Sequence, residues 1–449
     1  MHTRTYSFIA FVFYFAMSSL LARADTRFEL IPTEPSCKQY EYQIAVPSPN
    51  GDLHKGPVRP FFCTRDDFPE SDDLAVLRRL DAAVADRQIK DIRVSAYYYS
   101  DVRVARFICS RRFTADAKVT VYRQAGRRAH VSEPFMSELA NCKVSVRFLD
   151  IGCDVFAADS VCRSGSVNVL HSKVMLIRGE TNWAVTVLSS GNFNKSMFAN
   201  IEDWVVAVTD VGSKHERQVA CIFSTLEELG GVPAIPQGYA SGLYSRCIGS
   251  WNAGGADNGV ELLMMPSGEK FYIDQMVGDI EKASEVIIVS QYLSHDRILN
   301  AISKTGASVR VLSDSAWHFV LQSGAPVGVF NVADTSALAV IQQKRTVDQA
   351  FLMTNYRGDG GLCNTVHARF VVIRSTSGTT VYTGSAHLRT GSFQLNLEQQ
   401  MRIQNPELAE SYVKFAERLT LAARTSAQLP STGIAIKATE LNSCIEQEE

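Results

Sequence analysis

The sequence predicts an α/β protein of two similar lobes, each a mixed sheet packed between helices, with one site at the lobe interface. Three observations predict it. First, one constellation occurs twice. His171-Ser172-Lys173 is followed by Ser189-Ser190-Gly191-Asn192, and His367-Ala368-Arg369 by Gly384-Ser385-Ala386-His387. A glutamate stands 31 residues beyond each histidine (171 to 202, 367 to 398), and Asn200 and Asn396 precede those glutamates by two. Second, Val94, Ser95, Tyr97 and Asp101 recur as Val289, Ser290, Tyr292 and Asp296 at a constant offset of 195, against 196 between the histidines. Third, a helix pattern precedes a strand pattern in each half, the alternation that builds α/β layers.

In order along the chain, residues 1–24 read as an export signal. Arg4 supplies the positive charge, residues 8–21 the short apolar run, and Ala22-Arg23-Ala24 the small-residue cleavage pattern before Asp25. Residues 25–60 carry Pro32, Pro35, Pro47, Pro49 and Pro57 and read as an irregular, extended leader, tied down through Cys37. The first lobe is assigned to 61–250. Within it, Leu74, Val76, Leu77, Leu80, Ala83 and Val84 share one face of a helix over 72–91, and 92–98 reads as a buried strand.

A Gly- and Asn-rich stretch, 251–259, reads as a linker. The second lobe, 260–425, repeats the order. A helix over 271–283 is followed by a strand over 286–292. Val309-Arg310-Val311 parallels Val119-Thr120-Val121, and Val327-Gly328-Val329 parallels Val144-Ser145-Val146. An amphipathic helix over 406–423 closes the lobe, and 426–449 is a loose tail. Asp101 and Asp296 read as helix caps. Tyr97 and Tyr292 read as lobe core near the site.

Composition narrows the partners. The 449 residues carry a formal net charge of −2, so the chain lacks the overall basic excess that serves proteins gripping nucleic acid by its phosphates. All ten cysteines follow the signal, an even number, and none forms a CxxC pair. In an exported chain this predicts disulfides rather than a metal site. Cys153 and Cys162 flank a short loop that they can staple.

The doubled motif has a chemical reading. In a strand over 167–177, His171 and Lys173 fall on one face. A turn at Gly179-Glu180-Thr181-Asn182 and a return strand over 183–188 bring Ser190 and Asn192 beside them. His367 and Arg369, a turn at Ser377-Gly378 and a return strand over 380–383 to Ser385 repeat the plan.

These residues resemble the phospholipase D superfamily, whose signature is HxK followed by a GS-x-N segment; the resemblance spans about 60–425. It implies that one histidine attacks a phosphodiester phosphorus to give a phosphohistidine while the other protonates the leaving oxygen, after which water or an alcohol attacks. By analogy His171 is the nucleophile and His367 the general acid and then base. The reverse assignment satisfies the same motif. Lys173, Arg369, Ser190, Asn192 and Ser385 would donate to the phosphoryl oxygens, and Glu202 and Glu398 would fix the imidazole tautomers. Cationic side chains do the neutralising, so no metal or other cofactor is implied.

Four departures stand out, and they are heavier in the second half. Arg178 and Arg374 occupy the place of the family's aspartate, five residues after the lysine. Arg369 replaces the second lysine, a planar fork for a point charge. His387 replaces the second asparagine, and Ser189 the first glycine. His387, Asp203 and Trp204 have no assigned role.

The export signal and the resemblance together lead to the expectation of a secreted or periplasmic, monomeric phosphodiesterase that cleaves phospholipid headgroups in transient contact with a membrane surface, with possible transfer to alcohols. Two other classes compete: a metal-independent nuclease of the same superfamily, and a non-catalytic phosphate- or lipid-binding protein.

Overall fold

The structure is a computed structural model. It describes residues 26–33, 42–47, 53–58, 74–125, 131–152, 169–194, 200–232, 235–249, 257–266, 269–314, 347–352 and 366–423. The export signal, the tail, Val327-Gly328-Val329, and Cys37, Cys63, Cys153, Cys162, Cys363 and Cys444 lie outside these residues.

The first lobe contains β1 (Arg27–Thr33), the hairpin β2 (Tyr42–Pro47) and β3 (Leu53–Val58), α1 (Ala75–Val84), β4 (Gln88–Ser95), α2 (Val102–Cys109), β5 (Arg112–Gln124), α3 (Glu133–Ala140), β6 (Ser145–Ile151), β7 (Val174–Gly179), β8 (Ala184–Ser189), β9 (Glu202–Thr209), α4 (Lys214–Leu229) and α5 (Gln237–Gly249). The second contains β10 (Val260–Met265), α6 (Glu269–Glu281), β11 (Glu285–Val289), α7 (Asp296–Lys304), β12 (Ser308–Asp314), β13 (Val347–Leu352), β14 (Phe370–Ser375), β15 (Gly378–Gly384), α8 (Thr390–Leu395), β16 (Glu398–Ile403) and α9 (Pro406–Ala422).

The two seven-stranded sheets have matching orders, β1-β9-β8-β7-β4-β5-β6 and β10-β16-β15-β14-β11-β12-β13. In each, the fifth strand in that order, β4 or β11, pairs parallel with its neighbour on one side and antiparallel with its neighbour on the other. The fold class is therefore α/β, two similar lobes with mixed sheets, as the duplicated spacing predicts.

Burial arranges the layers. Helices α1, α2 and α3 cover the outer face of the first sheet, through residues such as Leu80, Ile108 and Phe135. Helices α6 and α7 cover the outer face of the second, through Ile273, Met276 and Ile298. The inner faces, together with α4, α5 and α9, merge into one apolar core that draws on both lobes, including Val205, Phe223, Leu262, Phe370 and Phe415. A core shared this way fixes the lobes against each other, because separating them would return its apolar surface to water.

The structure corrects four expectations. The leader is not irregular throughout: β1 pairs antiparallel with β9 and is the counterpart of β10, which pairs antiparallel with β16. Pro32 is tolerated because β1 is an edge strand, where a missing N–H leaves no broken ladder. The strands expected over 92–98 and 286–292 end at Ser95 and Val289, so Tyr97 and Tyr292 sit in the loops beyond them.

The strand expected over 167–177 begins only at Val174, and His171 and Lys173 precede it. Leu170 instead bridges to Leu397 of the other lobe, and Val366 to Ile201. Finally, Asp101 caps α2, accepting from the Arg103 N–H at 2.8 Å, whereas His295 holds the cap position of α7 and Asp296 is its first helical residue.

The end of the presumed linker is ordered. Asp257 and Val260 exchange backbone hydrogen bonds around Asn258 and Gly259, at φ 46° and 75°. The Asp257 carboxylate accepts from Thr26 Oγ1 at 3.0 Å and from the His215 N–H at 2.8 Å, joining the two lobes. The four described cysteines form two disulfides, Cys109–Cys142 and Cys221–Cys247. No described helix is long and apolar enough to cross a membrane.

Candidate active site

The motif segments lie where strands of both sheets end against the other lobe. His171 and Lys173 precede β7, Ser190 follows β8, and Glu202 opens β9; His367, Ser385 and Glu398 hold the same places on β14, β15 and β16. The His171 N–H donates to Leu397 O at 3.0 Å, and the His367 N–H to Ile201 O at 3.0 Å. Each histidine is thus anchored by the lobe it does not belong to.

The side chains cross in the same way. His171 Nδ1 lies 2.8 Å from Glu398 Oε2, and His367 Nδ1 lies 2.8 Å from Glu202 Oε1. Both carboxylates are fully buried. Each is braced from its own lobe: Ser190 Oγ donates to Glu202 at 2.7 Å and Asn200 Nδ2 at 3.4 Å, while Ser385 Oγ and Asn396 Nδ2 donate to Glu398. The serines expected to bind phosphoryl oxygens therefore spend their single protons on the glutamates, which they orient. Asn192 is 3% exposed and its Oδ1 has no hydrogen-bond partner.

The cations differ between lobes. Lys173 Nζ donates to the His171 carbonyl at 2.8 Å. The Arg369 fork donates to the carbonyls of Ser190 and Ser385, at 2.9 and 2.7 Å, and its Nη2 lies 2.5 Å from His367 Nε2. That contact requires a lone pair on His367 Nε2, so the ring proton sits on Nδ1 and Glu202 accepts it. His171 has Nδ1 occupied by Glu398 and is 12% exposed.

Burial dominates the protonation states. It lowers His171 to about 3, against the pull of Glu398. It drives His367 well below its ordinary value, with Arg369 and Lys173 pushing the same way. Burial raises Glu202 to about 7, opposed by Ser190 and Arg369. Burial also raises Glu398, but the His171 imidazole, Lys173 and Ser385 together outweigh it and hold this carboxyl below its usual range. The resting site thus offers neutral imidazoles, an ionised Glu398 and buried cations, an arrangement suited to nucleophilic attack by nitrogen on an anionic ester.

Two features of the site escaped the sequence reading. His387 stands between the other two histidines, with ring centroids 5.7 Å from His171 and 5.8 Å from His367. Asp203 and Gln399, one residue beyond each glutamate, tie the lobes together. Asp203 Oδ2 accepts from Thr383 Oγ1 at 2.6 Å and Tyr412 OH at 2.7 Å; Gln399 reaches back to the Lys173 N–H at 2.9 Å and to Ser189 O at 2.9 Å. The alignment of His387 with Asn192 marked the replacement but not its contacts, and the internal offset aligns Asp203 with Gln399, a signal that was available.

The tyrosines border the site: Tyr97 lies edge-on to His171 at 6.0 Å and Tyr292 to His387 at 4.7 Å. Arg178 and Arg374 lie toward the far ends of β7 and β14 from the histidines and pair with Glu216 and Glu285, each at 2.7 Å. Among the described residues, no group of three or more His, Cys, Asp or Glu side chains is arranged to hold a metal ion.

Comparison with known proteins fits this architecture. Residues 276–420 match the family described as "Cardiolipin synthase, PLD-like domain". The match lies within the second lobe, and the first lobe repeats that lobe's strand order and motif. No curated protein matches the chain in sequence.

Similar solved structures include polyphosphate kinase from Porphyromonas gingivalis, at 14% identity and TM-score 0.46, covering 84% of this chain and 54% of that one. Phosphatidylserine synthase from Haemophilus influenzae Rd KW20 is 10% identical with TM-score 0.46, covering 83% and 90%. Nuc from Salmonella typhimurium, a phospholipase D family member, is 17% identical with TM-score 0.28, covering 37% and 95%. The chain spans about half the length of the polyphosphate kinase.

Proposed function

We propose that the chain is a phosphodiesterase that acts on phospholipid headgroup esters through a phosphohistidine on His171. The crossed pairing of His171 with Glu398 and His367 with Glu202 carries this reading, since it brings imidazoles from different lobes into one cluster, each within 6 Å of the His387 ring and beside Lys173 or Arg369. His171 Nε2 attacks phosphorus and the bond from phosphorus to the leaving oxygen breaks. The leaving oxygen takes its proton from His367. Water then attacks the phosphohistidine, giving a proton to His367 and freeing His171.

An entering phosphodiester anion favours this chemistry. Its negative charge offsets Arg369 and Lys173, the cations that depress His367, so the ring can take up the proton it must deliver. Arg369 would turn from His367 Nε2 toward the phosphoryl oxygens as they arrive. Such electrostatic donors are worth about 10²–10³ in rate each.

Two observations favour a lipid over a nucleic acid. The net charge of −2 offers no overall basic excess for a polyanion, and the family matched by the second lobe is described by a phospholipid-synthesising activity. The apolar N-terminal run and the two disulfides support export to an oxidising compartment.

The test is parallel incubation with phosphatidylcholine vesicles, phosphatidylglycerol vesicles and single-stranded DNA, followed by acid-labile phosphohistidine trapping. Headgroup release with label on His171 is expected. Turnover of DNA alone would overturn the substrate class, and the absence of any turnover or label would overturn the enzyme.

A further inference from the structure

His387 is the one imidazole of the cluster that the proposed reaction leaves unused. It occupies the place that Asn192 holds in the first lobe, after the matched serines Ser190 and Ser385. Unlike Asn192, it is not fully buried. Its ring faces both His171 and His367 at under 6 Å between centroids, while the Tyr292 edge supports it from another side.

Its partner is the other departure in this lobe. Arg369 Nε lies 3.0 Å from His387 Nδ1, and Nη2 lies 2.9 Å from His387 Nε2. A neutral imidazole has one acceptor nitrogen, so only one contact is a hydrogen bond in a given tautomer. The other nitrogen carries a proton that Arg369, a pure donor, cannot accept. A lysine ammonium lacks the planar fork that spans His367 and His387 together. In the first lobe Lys173 turns to a carbonyl and Asn192 Oδ1 is left without a partner.

We propose that His387 is a third substrate-contacting imidazole, donating its ring N–H to a non-bridging phosphoryl oxygen, and that Arg369 and His387 are one coupled replacement for a lysine and an asparagine. The inference rests on the phosphodiesterase reading above and deepens it. Burial and Arg369 both hold His387 well below its ordinary pKa, which keeps it a neutral donor rather than a competing acid. The phosphoryl group then meets three imidazoles with separate tasks: His171 attacks, His367 moves the proton, and His387 binds oxygen.

The experiment compares wild type, H387N, R369K and the R369K/H387N double variant on a chromogenic phosphodiester, bis(4-nitrophenyl) phosphate. It is paired with inorganic phosphate titrations followed through the histidine ring resonances of the full chain. Thermal melting establishes that each variant is folded. H387N is expected to lose up to about 10²-fold in kcat/KM, because its shorter side chain withdraws the donor from the position the ring N–H holds and leaves the Arg369 fork without its ring partner. The double variant should lose several-fold less than the product of the two single losses, as contacting residues do.

Phosphate should shift the His387 ring resonances in wild type and bind more weakly to H387N. Multiplicative losses, or a phosphate titration that moves His171 and His367 but leaves His387 untouched, would overturn the inference. Were wild type inactive on every phosphodiester, the function would fall; the phosphate titration would still decide whether His387 binds the anion.

Discussion

His171 Nδ1 lies 2.8 Å from a carboxylate oxygen of Glu398, a residue 227 positions away in the other lobe. His367 and Glu202 return the same relationship in the opposite direction. Neither lobe therefore contains a complete histidine–carboxylate pair, and the duplication yields one site rather than two. The shared core and the crossed backbone bridges at Leu170–Leu397 and Ile201–Val366 hold that exchange in register.

The crossing predicts which glutamate governs which step. Glu398→Gln keeps an acceptor for His171 but removes the charge that stabilises a phosphorylated imidazole. Formation of phosphohistidine should slow by ~10²–10⁴. Glu202→Gln should instead slow proton delivery and hydrolysis, so the intermediate still forms. Rapid-quench measurement of the first turnover separates the two. If Glu202→Gln, and not Glu398→Gln, suppressed the initial burst, His367 rather than His171 would be the nucleophile.

The same pairing sets the pH dependence. Burial raises Glu202 to about 7, and its ionised form is the one that accepts the His367 Nδ1 proton. As pH falls through about 7 the carboxylate is protonated and that acceptor is lost, so kcat/KM should fall on the acid side. His171 stays neutral down to about 3 and Glu398 stays ionised, so neither creates this limb. Glu202→Gln should flatten it while lowering the plateau. A limb that survives in that variant would assign the titration to another group.

Much of this was legible in the residues, and what was not has physical causes. The offsets of 195 and 196 carry the duplication, the sheet order and the motif positions, because both halves bury equivalent residues at equivalent places. β1 was not legible: Pro32 and the prolines after it mimic a loop, and its partner β9 lies far along the chain. The crossing was hidden too, since a separation of 31 residues within each half fits same-lobe and crossed pairing equally. Ser190 and Ser385 read as phosphate donors because sequence gives their proximity to the histidines but not the direction of their hydroxyls.

Asp203 links both lobes through one oxygen. It is 1% exposed, and Thr383 and Tyr412 of the second lobe donate to Oδ2. Tyr412→Phe removes one donor from a buried carboxyl and should cost ~1.5–3 kcal/mol, the range for hydrogen bonds to charged groups. The expected readout is a lower denaturant midpoint at unchanged slope. A variant as stable as wild type would mean that this bond does not hold the lobes together.

Gly384 precedes Ser385 and has φ 152°, a conformation that side chains rarely adopt. A Cβ there would stand 2.2 Å from the Gln399 carbonyl oxygen and 2.7 Å from Gln400 Cα, both backbone atoms of β16. The first lobe has Ser189 at the equivalent place without a positive φ. Gly384→Ser, which makes the two segments alike in sequence, should therefore destabilise by at least the ~1–3 kcal/mol of backbone strain. The clash also pushes β16 away, and Glu398 opens that strand. The loss should reach His171 in the other lobe, seen as slower phosphohistidine formation in the protein that remains folded. A Gly384→Ser variant with normal stability and normal His171 labelling would show that the two lobes tolerate the same backbone here, against the geometry of the β15–β16 pair.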